Sequence, residues 1–241
     1  MAFALVTSVK SGTNSGGTTS SGIDTSGADL LVMVVGHYAG ASTPAVSDSK
    51  GNTWTALTAY TEAGDITVTV FYAKNATVGS GHTFTVSGAN CYAGICVGAF
   101  SGSNTTAPFD AVTGSNGNNS TSNPGSLTPS EANCLVIVGA NMKFEHLSSI
   151  GSGYTIAQDL TPSAGSWYGT TLCYIVQTSA AATNPTLTYT TATAFANAIA
   201  SFKAAGAGGS AIKTINGLAR ASIKTINGLA IASVKTFNGL A

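Results

Sequence analysis

The chain holds three histidines, four cysteines and nine acidic residues that could carry acid–base, nucleophilic or metal chemistry. Each such chemistry needs a local arrangement. Nucleophilic hydrolysis uses a Gly-x-Ser-x-Gly elbow, zinc hydrolysis a His-Glu-x-x-His helix, and phosphate binding a Gly-x-x-x-x-Gly-Lys-Ser/Thr loop. None of these occurs here. His37, His82 and His146 do not cluster with Cys or acid at the short spacings of a zinc site. His37 closes an apolar run and reads as a satisfied core or rim histidine. Glycoside hydrolysis needs two carboxylates flanking one bond. Asp48, Glu62, Asp65, Asp110, Glu145 and Asp159 lie in turn-like settings with no strand face in common. The segment Asp48-Ser-Lys-Gly-Asn52 has oxygen donors but not the acid density of a calcium loop, and it reads as a turn. Cys91, Cys96, Cys134 and Cys173 form no CxxC pair and read as buried thiols. The expectation is a protein that is not an enzyme and needs neither cofactor nor metal.

Aromatic residues offer a second kind of chemistry. Trp54, Tyr60, Trp167 and Tyr168, with Tyr38, are candidates for a platform that contacts a glycan. The competing role is packing at strand ends, the commoner use of such rings.

The elements that would position these groups are strands. Only 7% of the chain is charged, against about 25% in an ordinary domain. Hydrophobic residues make up 44%, enough for a core, so disorder is excluded. Nine basic residues balance nine acids, which argues against a general nucleic-acid footprint. No run reaches 18 apolar residues, so no transmembrane helix is expected. The opening Met-Ala-Phe-Ala-Leu-Val-Thr-Ser-Val lacks the basic and apolar regions of a secretory signal and reads as a first strand.

Internal similarity organises the rest. Ile23-Asp-Thr-Ser-Gly-Ala-Asp-Leu-Leu-Val-Met-Val34 matches Leu127-Thr-Pro-Ser-Glu-Ala-Asn-Cys-Leu-Val-Ile-Val138. Gly51-Asn-Thr-Trp-Thr55 matches Gly151-Ser-Gly-Tyr-Thr155, and Val70-Phe-Tyr72 matches Leu172-Cys-Tyr174. His82–Val86 matches Pro185–Tyr189, and Ile95–Phe100 matches Asn197–Phe202. These blocks predict two halves, 1–104 and 105–205, with one fold. Leu30–His37 reads as a strand buried on both faces, and Ile66–Tyr72 as a half-buried strand. Thr83–Val86 and Ala93–Phe100 follow between Gly, Ser and Asn turns. Ala192–Ala205 could be helical by composition, but its partner segment alternates, so both read as strands. The fold class is all-β: two tandem antiparallel β-sandwich, jelly-roll-like halves and a short tail of repeats.

Residues 206–210 form a Gly-rich linker, and 211–241 repeat every 11 residues around Lys-Thr-Ile-Asn-Gly-Leu-Ala. Asn-Gly suits a two-residue hairpin turn, because both of its positions take positive φ. A small meander follows; the alternative is a right-handed supercoil. About 30 residues with apolar groups on two faces cannot bury themselves. Ile212, Ile215, Leu218, Ile223, Ile226, Leu229, Phe237 and Leu240 are therefore candidate assembly residues. The tail carries +4 and the remainder −4, so a tail meeting a neighbouring body is electrostatically sensible.

The blocks Ile23–Val32, Val46–Thr55, Ala107-Pro-Phe-Asp110 and Gly125–Pro129 resemble a group of uncharacterised β-sandwich proteins of tailed phages, prophages and bacterial surfaces. The tail is similar to repeats that end many phage virion and fibre proteins. The resemblance implies a structural role in the virion, as decoration, fibre or tail component, with other virion proteins and copies of itself as partners. Trimerisation of three tails is implied only by fibre proteins. The group carries no catalytic signature. The alternatives are an adhesin module for a host-surface glycan, at the cell surface, and the subunit of an extracellular filament.

Overall fold

A computed structural model describes residues 2–206, apart from 42–43, 63, 89 and 163–166, and in the tail residues 214–215, 218–219, 225–226 and 229–230. In the first half the strands are β1 (Ala4–Gly12), β2 (Thr18–Thr19), β3 (Leu30–Tyr38), β4 (Ala45–Asp48), β5 (Thr55–Ala56), β6 (Tyr60–Glu62), β7 (Ile66–Lys74), β8 (Phe84–Ser87) and β9 (Gly94–Ser101). In the second half they are β10 (Phe109–Ser122), β11 (Cys134–Lys143), β12 (Leu147–Ile150), β13 (Thr155–Leu160), β14 (Tyr168–Gln177) and β15 (Leu187–Phe202). No helix occurs among the described residues. The segment with a helix-like composition, Ala192–Ala205, lies largely in β15.

Two six-stranded antiparallel sheets carry the fold. The first runs β1-β9-β3-β7-β5 with β6 also on β7, and the second runs β10-β15-β11-β14-β13 with β12 on β15. The two orders correspond strand for strand along the main path. Details of register correspond too: Leu30 faces Phe100 as Leu135 faces Phe202, and Thr55 faces Tyr72 as Thr155 faces Tyr174. Ile23 bridges His82 as Leu127 bridges Thr183. The match that aligns Ile23 with Leu127 does not continue into the strands. The register pairs Leu30, not Leu31, with Leu135, one residue out of step with the sequence alignment. Asn133, at φ 65°, lies in the turn just ahead of β11. A one-residue slip exchanges the two faces of a strand, so the correction decides which side chains meet which layer.

Those faces build three cores. Leu30, Val32, Val34, Val68 and Val70 meet Leu135, Ile137, Leu172, Ala198 and Phe202 between the two main sheets. The opposite face of the first sheet, with Leu31, Met33, Val35 and Val97, packs against Phe84 and Val86 of the small sheet β2-β8-β4. The opposite face of the second sheet, with Val136, Val138 and Met142, packs under Leu147, Leu187 and Tyr189. There β10 and β15 are long enough to run past the main sheet and pair again at Thr121–Thr188 and Ser122–Leu187. Each half is thus sandwich-like in itself, and the halves share a further core. Residues 1–205 form one compact unit and 206–241 a second. The 104/105 boundary falls between sheets of one unit. The covering layers explain why β7, expected to be half-buried, has Thr67 and Thr69 buried as well as Ile66, Val68 and Val70.

Close approach of the main sheets depends on small residues. A Cβ on Gly36 would stand 2.6 Å from Asn141 Cγ and from Thr170 Oγ1, and one on Gly94 would collide with Thr170. Asn141 Nδ2 donates to the His37 and Thr67 carbonyls at 3.2 and 3.0 Å, but Asn141 Oδ1 and Thr170 Oγ1 are buried without a partner among the described residues. An orphaned buried hydroxyl costs free energy that a methyl of the same shape does not. Thr170→Val is expected to leave stability unchanged or raise it by about 1 kcal/mol, read by urea unfolding. A loss beyond about 1 kcal/mol would show that the hydroxyl is satisfied in solution.

In the tail, β16 (Thr214–Ile215) pairs with β17 (Leu218–Ala219), and β18 (Thr225–Ile226) with β19 (Leu229–Ala230), both antiparallel. Ile215 stands opposite Leu218 and Ile226 opposite Leu229, on either side of an Asn-Gly pair in the sequence. Ile212, Ile223, Phe237 and Leu240, and the continuation into a meander or supercoil, lie outside the described residues.

Candidate functional site

The titratable side chains are mostly held by structural hydrogen bonds. The densest group joins Thr25, Asp48 and His82. His82 Nε2 lies 2.9 Å from Asp48 Oδ1, and His82 Nδ1 lies 2.9 Å from Thr25 Oγ1. The connectivity is hydroxyl–imidazole–carboxylate, that of a nucleophile, base and orienting acid. Its setting is different. The His82 and Asp48 side chains are fully shielded from solvent and Thr25 is fully buried. The Gly79 amide donates to Thr25 Oγ1 at 3.1 Å, and the Gly79 carbonyl stands 3.2 Å away. With a neutral ring, the Nε2 proton goes to Asp48 and Nδ1 accepts the Thr25 proton. With a charged ring both nitrogens donate, and Thr25 turns its proton to Gly79. Either state is satisfied, and the hydroxyl has no exposure to solvent.

Asp48 is the hub. Trp54 Nε1 donates to its Oδ2 at 2.7 Å, and the Lys50 amide and Asn52 Nδ2 donate to its Oδ1 at 2.8 and 3.1 Å. Burial opposes its ionisation, but donation from His82, Trp54, Lys50 and Asn52 outweighs burial and holds the carboxyl below its ordinary range. Gly51, at φ 73°, closes the turn from Asp48 to Asn52. The segment is therefore a turn that presents a carboxylate inward. Trp54 is held there, edge-on to Phe84 at 6.2 Å, and so is part of this knot and not of a surface platform.

The other groups tell the same story. Burial lowers the tendency of His37 to protonate, and its Nδ1 contacts the Tyr38 carbonyl at 2.9 Å. His146 Nδ1 lies 3.2 Å from Asp159, whose carboxyl burial pushes up. The four cysteines are free and buried, and burial raises every thiol, Cys134 to about 11 and Cys173 to about 12. Such thiols stay protonated and unreactive. Among the described residues no three His, Cys, Asp or Glu side chains come together as a metal site would require.

An open cleft of about 420 Å³ lies at one end of the two main sheets. Tyr38 ends β3 and Lys143 ends β11; Asp65 precedes β7 and Trp167 precedes β14. Backbone bonds lock these ends in the same way in both halves: Ala39 donates to the Asp65 carbonyl at 2.9 Å, and Phe144 to that of Trp167 at 2.8 Å. The cleft thus straddles matching positions that carry different residues. Tyr92 stacks on Trp167, with ring centres 5.4 Å apart and planes 10° from parallel. Tyr38 meets Tyr92 edge-on at 6.1 Å, and Phe144 stands 6.0 Å from Trp167. Lys143 Nζ forms an ion pair with Asp65 at 2.8 Å and lies 5.6 Å from the centre of the Phe144 ring. Tyr168 is buried at the cleft wall; burial first, then Asp65, Tyr38 and Tyr92, push its phenol up to about 12.

Of the sequence candidates, the structure brings Trp167, Tyr168 and Tyr38 together here. Tyr60 packs on the shared core beside β10, away from the cleft lining. Sequence reasoning missed Tyr92, Phe144, Asp65 and Lys143 as neighbours. A usable signal was an aromatic placed in a Gly- and Asn-rich loop, as in Gly88-Ala-Asn-Cys-Tyr92. No family model, no curated protein and no solved structure matches this chain.

Proposed function

We propose that this chain is a non-enzymatic structural component of a phage particle, a decoration, fibre or tail element, held to copies of itself or to other virion proteins by its C-terminal repeats. One observation carries the reading most directly: the tail is a unit distinct from the body, and its described residues form two short antiparallel strand pairs. Isolated two-stranded hairpins are marginal in water and need burial against something else. Ile215, Leu218, Ile226 and Leu229 stand in those strands, and each buried side chain of that size contributes about 1.5–3 kcal/mol before ordering costs. The body fits a passive scaffold: its densest polar knot is sealed, and its thiols are buried and protonated. The virion assignment itself rests on the resemblance of the blocks and repeats.

A chain ending at Ala205 is expected to fold with an unchanged body but to lose self-association and attachment to particles, measured by light scattering and co-sedimentation against residues 1–241. Equal assembly by the shortened chain would remove the tail from this role. A second reading, a surface module that binds a glycan, is favoured by the aromatic cleft.

A further inference from the structure

We propose that the cleft between Tyr92, Trp167 and Phe144 is a binding site for a neutral saccharide, a pyranose ring seated against the aromatic faces. This reading of the body does not depend on the tail. Four large apolar side chains are exposed among the described residues, and two of them, Phe144 at 62% and Trp167 at 47%, are neighbours on this rim. Exposed aromatics that cluster beside a concavity mark a binding surface, whereas scattered ones mark nothing.

The backbone supplies a second observation. Tyr92 has φ 47° and Phe144 φ 56°, the left-handed region where bulky side chains are outliers. Among the described residues, the remaining non-glycine residues there are Asn75, Asn90, Asn133 and Ser152, small polar types. Both aromatic exceptions line the cleft. Packing does not require Phe144 to be aromatic, since most of its surface faces water. Strain retained at an exposed ring points to use of that ring.

The chemistry selects the ligand. Ring faces call for a ligand with an apolar face. The Lys143–Asp65 pair on the same walls calls for polar edges that accept and donate. Because Lys143 and Asp65 neutralise each other, the cleft offers no net charge to an ionic ligand. The body's net −4, as read from the sequence, disfavours a nucleic-acid strand, which would otherwise use stacked rings. A pyranose has an apolar C–H face and a rim of hydroxyls. The volume falls in the range of roughly 300–1,000 Å³ usual for small-molecule sites.

The test follows the two indole N–H resonances of the full chain while methyl pyranosides of glucose, galactose, N-acetylglucosamine and N-acetylgalactosamine, and then a printed array of bacterial surface oligosaccharides, are offered. A neutral saccharide is expected to shift the Trp167 signal saturably and leave the Trp54 signal in place. Trp167→Ala is expected to weaken that binding about tenfold or more. Phe144→Gly relieves the backbone, so it should weaken binding to a similar extent while the thermal midpoint stays the same or rises. That combination is one that a purely structural aromatic would not give. The proposal is overturned if none of these saccharides moves Trp167 at millimolar concentration, if binding survives both substitutions, if only charged saccharides bind, or if the shift falls on Trp54. Loss of particle attachment on removing the tail, with saccharide binding intact, would separate this site from the assembly reading.

Discussion

Asp48→Ala is expected to cost about 3–5 kcal/mol of folding stability, because it breaks a buried charge-bearing cluster from one side. Five donors converge on this carboxylate: His82 Nε2, Trp54 Nε1, Asn52 Nδ2 and the Lys50 and Asn52 amides. Without it, His82 Nε2 and Trp54 Nε1 face a hole they cannot leave, since the His82 side chain is fully shielded and stacks on Phe84 at 4.4 Å. Each donor left unmade contributes about 1–3 kcal/mol, and the cavity adds to it. Asp48→Asn keeps the shape and one acceptor oxygen, so it should cost less than the alanine. For a body of about 200 residues the alanine variant should melt some 10 °C lower. A loss under about 1 kcal/mol in urea unfolding would mean that the knot is not a keystone.

The same carboxylate sets a pH dependence. Its folded-state value lies below its ordinary one, so its contribution is complete above about pH 4 and is lost as pH falls through the depressed value. Asp110 acts in the same sense: burial opposes its charge, but Ser130, Ser201 and Lys203 hold it low. Asp159 runs the other way, since burial raises it and its protonation favours the folded state as pH falls. With four depressed carboxyls, Asp24, Asp48, Asp110 and Glu145, against one raised, acid destabilisation below about pH 4 is the net expectation, and Asp48→Asn should flatten that limb.

The strands were legible because apolar runs such as Leu30–His37 and Cys134–Val138 leave little alternative. The repeated blocks predicted two halves of one fold and said nothing of strand order, which the pairing of the main sheets supplies. The face assignment was not legible, because an extra residue before β11 is invisible to an alignment that tolerates Asp29 against Asn133. The knot was hidden for another reason. Thr25, Asp48 and His82 are distant in sequence and form no motif; only the pairing of β4 with β8 and the bridge Ile23–His82 bring them together. For Trp54, residue type left a glycan platform and strand-end packing both open, and the deciding fact was an acceptor six residues earlier. Tyr92 and Phe144 escaped because positive φ at an aromatic cannot be read from local composition.

Phe100→Ala and Phe202→Ala are each expected to destabilise the body by about 3–5 kcal/mol, and by similar amounts. The two rings occupy corresponding positions, opposite Leu30 and Leu135. Each then reaches into the other half. Phe100 meets Tyr174 at 5.4 Å and 68°, and Phe202 meets Tyr72 at 5.5 Å and 65°. The two contacts are reciprocal and edge-to-face; both phenylalanines lie in the shared core with no exposed surface, and Tyr72 and Tyr174 pack against it partly buried. Truncation removes the transfer free energy of the ring and leaves a cavity that closely packed sheets collapse only partly to fill. A double-mutant cycle with Tyr174→Leu or Tyr72→Leu should return a coupling of about 0.5–1.5 kcal/mol for each pair. Trp54 and Trp167 report on opposite halves, so one experiment also tests the shared core. If the core couples the halves, Phe100→Ala shifts the unfolding midpoint seen at Trp167 as far as that seen at Trp54. Two separated transitions, with only the substituted half moving, would show instead that each half stands on its own outer core and that the interface between them contributes little.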